Sequence, residues 1–316
     1  LAGAAVRSAR AAGALAVLPQ ALVYRAGVHL LAGEFAAAAT LIEEAASITA
    51  STDHYAPVRY HSLLLASLRG IPADAMPLIE AATADATARG EGRVLGLTGF
   101  AAAVLYNGLG RYEEAFAAAC TACEYEDLGV HGWCLVELVE AAVRSGEPDA
   151  AAVALRRLEE RTLAAGTDWG LGVLASARAQ LADAELADGL FTEAIERLER
   201  TRVVVHLARA HLGYGEWLRR ANRRGDARRQ LNAAHDLFTR MGAQAFAERA
   251  QAHARQPVLR PRARLRLRRA RRLQPDGDIF QRGLPGKQRV SLEQVAGLAV
   301  ERGQRRPENI DATRRR

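Results

Sequence analysis

The chain has 316 residues and is 49% hydrophobic, enough to bury a large core. No apolar run of about 18 or more residues is free of charge, which argues against a membrane-spanning helix. The net charge of +7 is unevenly placed: residues 255–316 hold 17 Arg and one Lys against six acidic residues, a net of +12, and leave a mildly acidic −5 on residues 1–254.

Arg7 and Arg10 ahead of Ala11–Leu18 carry a faint signal-peptide pattern. Leu22, Val23, Leu30 and Leu31 continue it, so Leu15–Leu31 reads better as a helix. The first residue is Leu1 rather than Met, as expected of a fragment of a longer product or a misplaced start. Helix pairs follow. Leu15–Gly33 and Glu34–Ala50 make the first, with Leu41, Ile42, Ala45 and Ile48 in its second helix. His54–Gly70 and Ala73–Arg89 make the next, with Tyr60, Leu63, Leu64 and Leu68 turned inward. Arg93–Leu109 with Tyr112–Tyr125, and Gly129–Ser145 with Asp149–Leu163, make the third and fourth. Gly166-Thr167-Asp168 then breaks the pattern and can cap a helix over Trp169–Ala187. Gly189–Arg200 and Val203–Met241 complete the stack, and Gly242–Arg255 reads as one more helix around Ala245, Phe246, Ala250 and Ala252.

The clearest stretch is Gly189–Met241. Ala227, Leu231, Ala234 and Phe238 fall at i, i+4, i+7 and i+11, on one helical face, with Arg228, Arg229 and Asp236 off it. Upstream, Val203–Ala221 is apolar around much of its girth through Leu207, Ala210, Tyr214, Trp217 and Leu218. Arg209, Glu216 and Arg220 share the narrow charged stripe that remains. An inner helix and an outer helix of a stacked hairpin need this division, and the hairpin implies neighbours on both sides.

Gly33, Gly70, Gly110, Gly146 and Gly189 recur at intervals of 37, 40, 36 and 43 residues, and 36 more lead to Gly225. Each of the first five has Ala five residues on: Ala38, Ala75, Ala115, Ala151 and Ala194. Two residues on stands an aromatic or Pro: Phe35, Pro72, Tyr112, Pro148 and Phe191. Gly permits the tight turn, Pro suits the first helical turn, and Ala lets two helices approach closely. Gly225 departs, with Ala227 and Gln230 at those offsets. The pattern resembles tetratricopeptide repeats at a looser spacing. The expected fold is therefore all-α, a tetratricopeptide-like superhelix of stacked antiparallel helix pairs over residues 1–254, with an irregular basic C-terminal tail.

Little points to catalysis or a cofactor. Cys120 and Cys123 form a C-x-x-C inside an Ala-rich helical run, with no second pair for zinc and no strand–turn context for redox work. With Cys134 they read as small packed side chains of a reducing compartment. His206 and His211 are five apart and do not align on a helix; His54 and His61 could share a face but lack a third ligand. No carboxylate pair, triad, metal set or phosphate loop stands out, so neither an enzyme nor a cofactor is expected.

The pattern stops near Gln256, where Pro257 and Pro261 end any helix. Nine arginines and no acidic residue lie from Arg255 to Arg272. Residues 255–280 read as a disordered Arg/Pro-rich linker. The sharper reading is non-specific contact with DNA phosphates through Arg264, Arg266, Arg268, Arg269, Arg271 and Arg272. Gly283-Leu284-Pro285-Gly286-Lys287 fails as a Walker loop, with Gln281 and Gln288 at the required Gly and Ser/Thr positions. Within the short tail 281–316, Ser291–Arg302 reads as a last helix, with nothing long enough after it for a recognition helix. Sequence-specific DNA binding by this chain is therefore not expected.

Gly189–Gln251 closely resembles the helical-repeat region of LuxR-family transcriptional regulators of the large ATP-binding type. The resemblance is carried by Arg200-Thr201-Arg202, Leu207–Leu212, Tyr214-Gly215-Glu216-Trp217-Leu218-Arg219-Arg220, Asp226-Ala227-Arg228 and Phe246-Ala247-Glu248-Arg249-Ala250. Ala14–Ala46, with Leu18-Pro19-Gln20-Ala21-Leu22 and Ala32-Gly33-Glu34-Phe35, looks like an earlier part of the same region. In that family an ATPase module precedes the repeats and a helix-turn-helix follows, while the repeats sense an inducer or partner. Neither flanking module is intact here; Ser291–Val295 and Leu298–Gly303 resemble only the first helix of the DNA-binding domain. The resemblance thus implies a truncated sensory and coupling region in the cytoplasm. Its partner would be a small-molecule inducer or a protein, and it would reach DNA only through a domain that is not intact here. The alternative is a free-standing repeat adaptor for a protein partner. In either case the binding surface is expected on the concave side, where first helices carry Arg59, Tyr106, Trp133, Trp169 and Trp217. Each of these is otherwise simply packed.

Overall fold

The computed structural model describes residues 1–52, 58–125 and 129–255. The readings made for the linker and tail beyond Arg255, with all six phosphate-contact arginines, lie outside the described residues. So does His54. Among the described residues there are fourteen α-helices and no strand, and no helix is long and apolar enough to cross a membrane.

A short helix α1 (Ala2–Ala11) precedes six antiparallel pairs. These are α2 (Leu18–Leu31) with α3 (Phe35–Thr52), α4 (Val58–Arg69) with α5 (Pro72–Arg89), and α6 (Gly92–Leu109) with α7 (Tyr112–Cys123). Then come α8 (His131–Ser145) with α9 (Pro148–Ala165), α10 (Asp168–Leu181) with α11 (Ala184–Glu199), and α12 (Val204–Arg220) with α13 (Arg224–Met241). A last helix, α14 (Gln244–Arg255), follows. The first helices of the pairs touch one another in sequence, from α2 through α12, and form a continuous inner layer. The second helices pack outside them.

The recurring alanines are the close-approach points that their spacing predicts. Ala38, Ala75, Ala115, Ala151 and Ala194 are all fully buried. Four of the five recurring glycines stand at turns with left-handed backbone, φ from 71° to 86°. Gly189 does not. It lies inside α11, and the chain breaks earlier, at Ala182-Asp183. The expected helix over Trp169–Ala187 is therefore two helices. The apolar face explains this: Ala187, Phe191, Ala194 and Leu198 are buried at i, i+4, i+7 and i+11, so the stripe runs straight through Gly189. A glycine inside a helix costs only about 1 kcal/mol, which such a stripe outweighs. Gly225 likewise lies within α13, and Asn222 (φ 65°) makes the turn before it.

The C-terminal helices return to the N-terminal pairs. α12 packs against α2, and α14 against α6. At Gly33 a Cβ would collide with Met241 Sδ, and at Gly70 it would lie 2.6 Å from Ala245 Cβ and 2.9 Å from the Ala245 nitrogen. Those turns are glycine because the α13–α14 junction sits directly on them. Phe246 of α14 stacks on Phe238 at 5.1 Å between ring centres and reaches Gly108 of α6.

Candidate functional site

The inner layer lines an open-sided cavity of about 370 Å³. Its walls come from α2, α4, α6, α8 and α12. On α4, Tyr60, Leu64, Ser67 and Leu68 fall at i, i+4, i+7 and i+8 and share the face that lines it. Leu97, Phe100 and Val104 of α6 do the same, and so do Trp133 and Glu137 of α8 with Val130 just before it. Phe100 and Trp133 meet at 6.0 Å between ring centres, tilted by 44°. Val205, His206 and Arg209 close the space from α12.

Most of this surface is hydrocarbon, and one end is ionic. Arg209 donates from both terminal nitrogens to Glu137, from Nη2 to Oε2 at 2.8 Å, and its Nη2 also reaches Glu140 Oε2 at 2.5 Å. Asn107 Nδ2 donates to Glu137 Oε2 at 2.9 Å. From α14, Arg249 donates through Nη1 to Glu140 Oε1 and to the Asn107 carbonyl, each at 2.8 Å. Its Nε and Nη2 hold Glu216 at 2.9 and 3.0 Å. Arg144 also pairs with Glu216. Three arginines thus meet three glutamates, with balanced charge. The stripe on α12 that carries Arg209 and Glu216 faces inward, where this network satisfies it.

Burial alone would raise the Glu140 carboxyl, but Arg249, Arg209 and Arg144 outweigh it and hold the group well below the usual carboxylate range. Burial works against the Arg209 charge too, and Glu137 and Glu140 more than offset it, so its pKa rises. His206 is pushed down to about 3 by burial and then by Arg209, and His253 to about 3 by burial and the surrounding arginines. Both are neutral at pH 7. Neutral His253, with its proton on Nε2, donates to Glu216 Oε1 at 3.0 Å.

Of the five concave-side candidates, Trp133 lines the cavity. Tyr106 faces α5, its hydroxyl donating to Met76 Sδ at 3.6 Å while Arg111 covers its ring. Trp169 packs 6.0 Å from the His206 ring and against the core around Val173 and Leu198. Trp217 sits 6.1 Å from both Phe191 and Tyr214. Arg59 belongs to α4, but its side chain lies outside the described residues. Ser67, Glu137, His206 and Arg209 were not singled out from sequence as cavity residues. The available signal was polar side chains on the otherwise apolar faces of inner helices.

The cysteines are free. Its neighbour Cys123 and burial raise the Cys134 thiol, and burial pushes Cys120 up to about 11. Among the described residues, no group of three or more His, Cys, Asp or Glu is placed to hold a metal ion. Comparison of the chain with protein-family models and with curated proteins found no match.

Proposed function

We propose that residues 1–255 are a small-molecule-sensing helical-repeat module, the sensory and coupling region of a LuxR-type transcriptional regulator. One observation carries the sensing part: an apolar cavity inside the inner layer, with a few convergent polar groups at one end. Coupling is supported by its ionic end. Arg209 lines the cavity and shares Glu140 with Arg249 of α14, so a change at the cavity wall reaches the last helix of the module in two ion pairs. The regulator part rests on the resemblance of Gly189–Gln251 and Ala14–Ala46, and a cytoplasmic location follows from it.

The adaptor reading has less support. A peptide would need an open inner face, and α14 already occupies part of it through Arg249. Two experiments test the proposal. A thermal-shift screen of a diverse small-molecule library should yield compounds that raise Tm in the native chain and not after Val104→Trp fills the cavity. Hits that survive the filling, or no hits, would overturn the sensing role. The flanking nucleotide sequence should encode an ATPase module upstream and a helix-turn-helix downstream; neither being present would favour the adaptor.

A further inference from the structure

We infer that the cavity takes an uncharged, predominantly apolar small molecule, and that the Ser67 hydroxyl holds its hydrogen-bonding group. This rests on the reading of the cavity as a ligand site and adds its chemical class.

The first observation is electrostatic. Among the described residues lining the cavity, Glu137, Arg209 and Arg93 are the only Asp, Glu, Lys or Arg side chains. Glu137 and Arg209 are spent on each other, and their remaining positions go to Asn107 and Glu140. Arg93 is engaged in an interaction of its own. A ligand carboxylate would thus lose water without gaining a free cation, and an ammonium without gaining a free carboxylate. His206 adds no charge, because burial keeps its ring neutral.

The second observation is Ser67. It is 1% exposed, lines the cavity, and its Oγ has no hydrogen-bond partner. This departs from the local habit. Thr40, Thr49, Thr83, Ser145 and Thr162 all donate to the carbonyl four residues back, at 2.7–3.2 Å. Ser67 has the same option on α4 and does not take it. A buried hydroxyl left unpaired is costly, so this one is available to a ligand oxygen or nitrogen.

The test uses the full chain and pyrene, a neutral hydrocarbon whose emission reports apolar surroundings. Pyrene should bind the native chain and not Val104→Trp; Leu64→Trp, on the facing wall, replaces that variant if it fails to fold by circular dichroism. 1-Decanol should displace pyrene at a concentration at least about tenfold lower than decanoate, which differs in its charged head. Ser67→Ala should weaken 1-decanol by about five- to tenfold, the loss of one buried hydrogen bond, and leave pyrene within about twofold. Decanoate equal to or better than 1-decanol, or 1-decanol unaffected by Ser67→Ala, would overturn the ligand class while leaving the site. Pyrene failing to bind, or binding the filled variant as tightly, would overturn the site itself, and the class with it.

Discussion

Arg249 and Glu216 face each other as a two-bonded pair, Nε to Oε1 at 2.9 Å and Nη2 to Oε2 at 3.0 Å, with side chains only 5% and 1% exposed. They join α14 to α12, and Arg249 continues to Glu140 and to the Asn107 carbonyl, 142 residues away. One side chain therefore ties the last helix to α6, α8 and α12.

Removing that side chain takes one cation from each of two buried carboxylates and leaves Glu216 with Arg144 and Glu140 with Arg209. Arg249→Met should cost about 3–5 kcal/mol of stability, since it leaves three buried carboxylates against two arginines, and an uncompensated buried charge is expensive. The double variant Arg249→Met with Glu216→Gln should lose less than the two single variants added together. Denaturant unfolding of the four proteins measures this, and strict additivity would show that the two residues are not coupled.

The Gly70 and Gly90 turns share a left-handed backbone, φ 72° and 66°, but not their surroundings. A Cβ at Gly90 meets nothing within 4 Å, whereas at Gly70 it meets Ala245. Gly90→Ala should cost about 1–2 kcal/mol, the left-handed penalty alone. Gly70→Ala should cost about 1–3 kcal/mol more, because the α13–α14 junction must move. Equal melting temperatures for the two variants would mean that the junction does not rest on Gly70.

Phe238 is 1% exposed and stacked on Phe246. Phe238→Ala should destabilise by about 3–5 kcal/mol. A loss below about 1 kcal/mol in chemical denaturation would place the residue outside the core.

Much of this fold was legible because helix pairs are local. The Gly–Ala recurrence marks close-packed turns, and Ala227, Leu231, Ala234 and Phe238 declare their face by spacing alone; all four are buried. The closure was not legible. Nothing in the periodicity of α14 says that Arg249 ends beside Asn107, and periodicity carries no information about contacts at such separation. Gly189 misled for a related reason: glycine permits a turn without requiring one, and the apolar stripe around it was the stronger signal. The aromatic candidates show the limit for the site. An inner helix has two buried sides, one toward the cavity and one toward its outer partner. Trp133 lies on the first and Trp217 packs beside Phe191 of α11, while sequence alone marks both simply as large and apolar.

Acid should loosen the polar centre. His206 and His253 have folded pKa values of about 3, below their ordinary 6.5, so the unfolded chain binds more protons than the native one between those values. Their contribution to stability is complete above about pH 6.5 and is lost as pH falls toward 3. Glu140 adds to this lower down, because its depressed carboxyl contributes above its ordinary 4.5 and is lost below it. Denaturation midpoints should therefore fall steadily from pH 7 to pH 4, and His206→Phe should flatten part of the slope. A midpoint constant over that range would contradict the burial of both rings as neutral groups.

The most direct measurement of the central claim, that the inner-layer cavity is a ligand site, is a crystal structure of the chain with pyrene bound. Pyrene should lie between α4, α6, α8 and α12, against Phe100 and Trp133, with the Arg209–Glu137 pair intact. Pyrene seated on the outer helices, with the cavity empty, would contradict it.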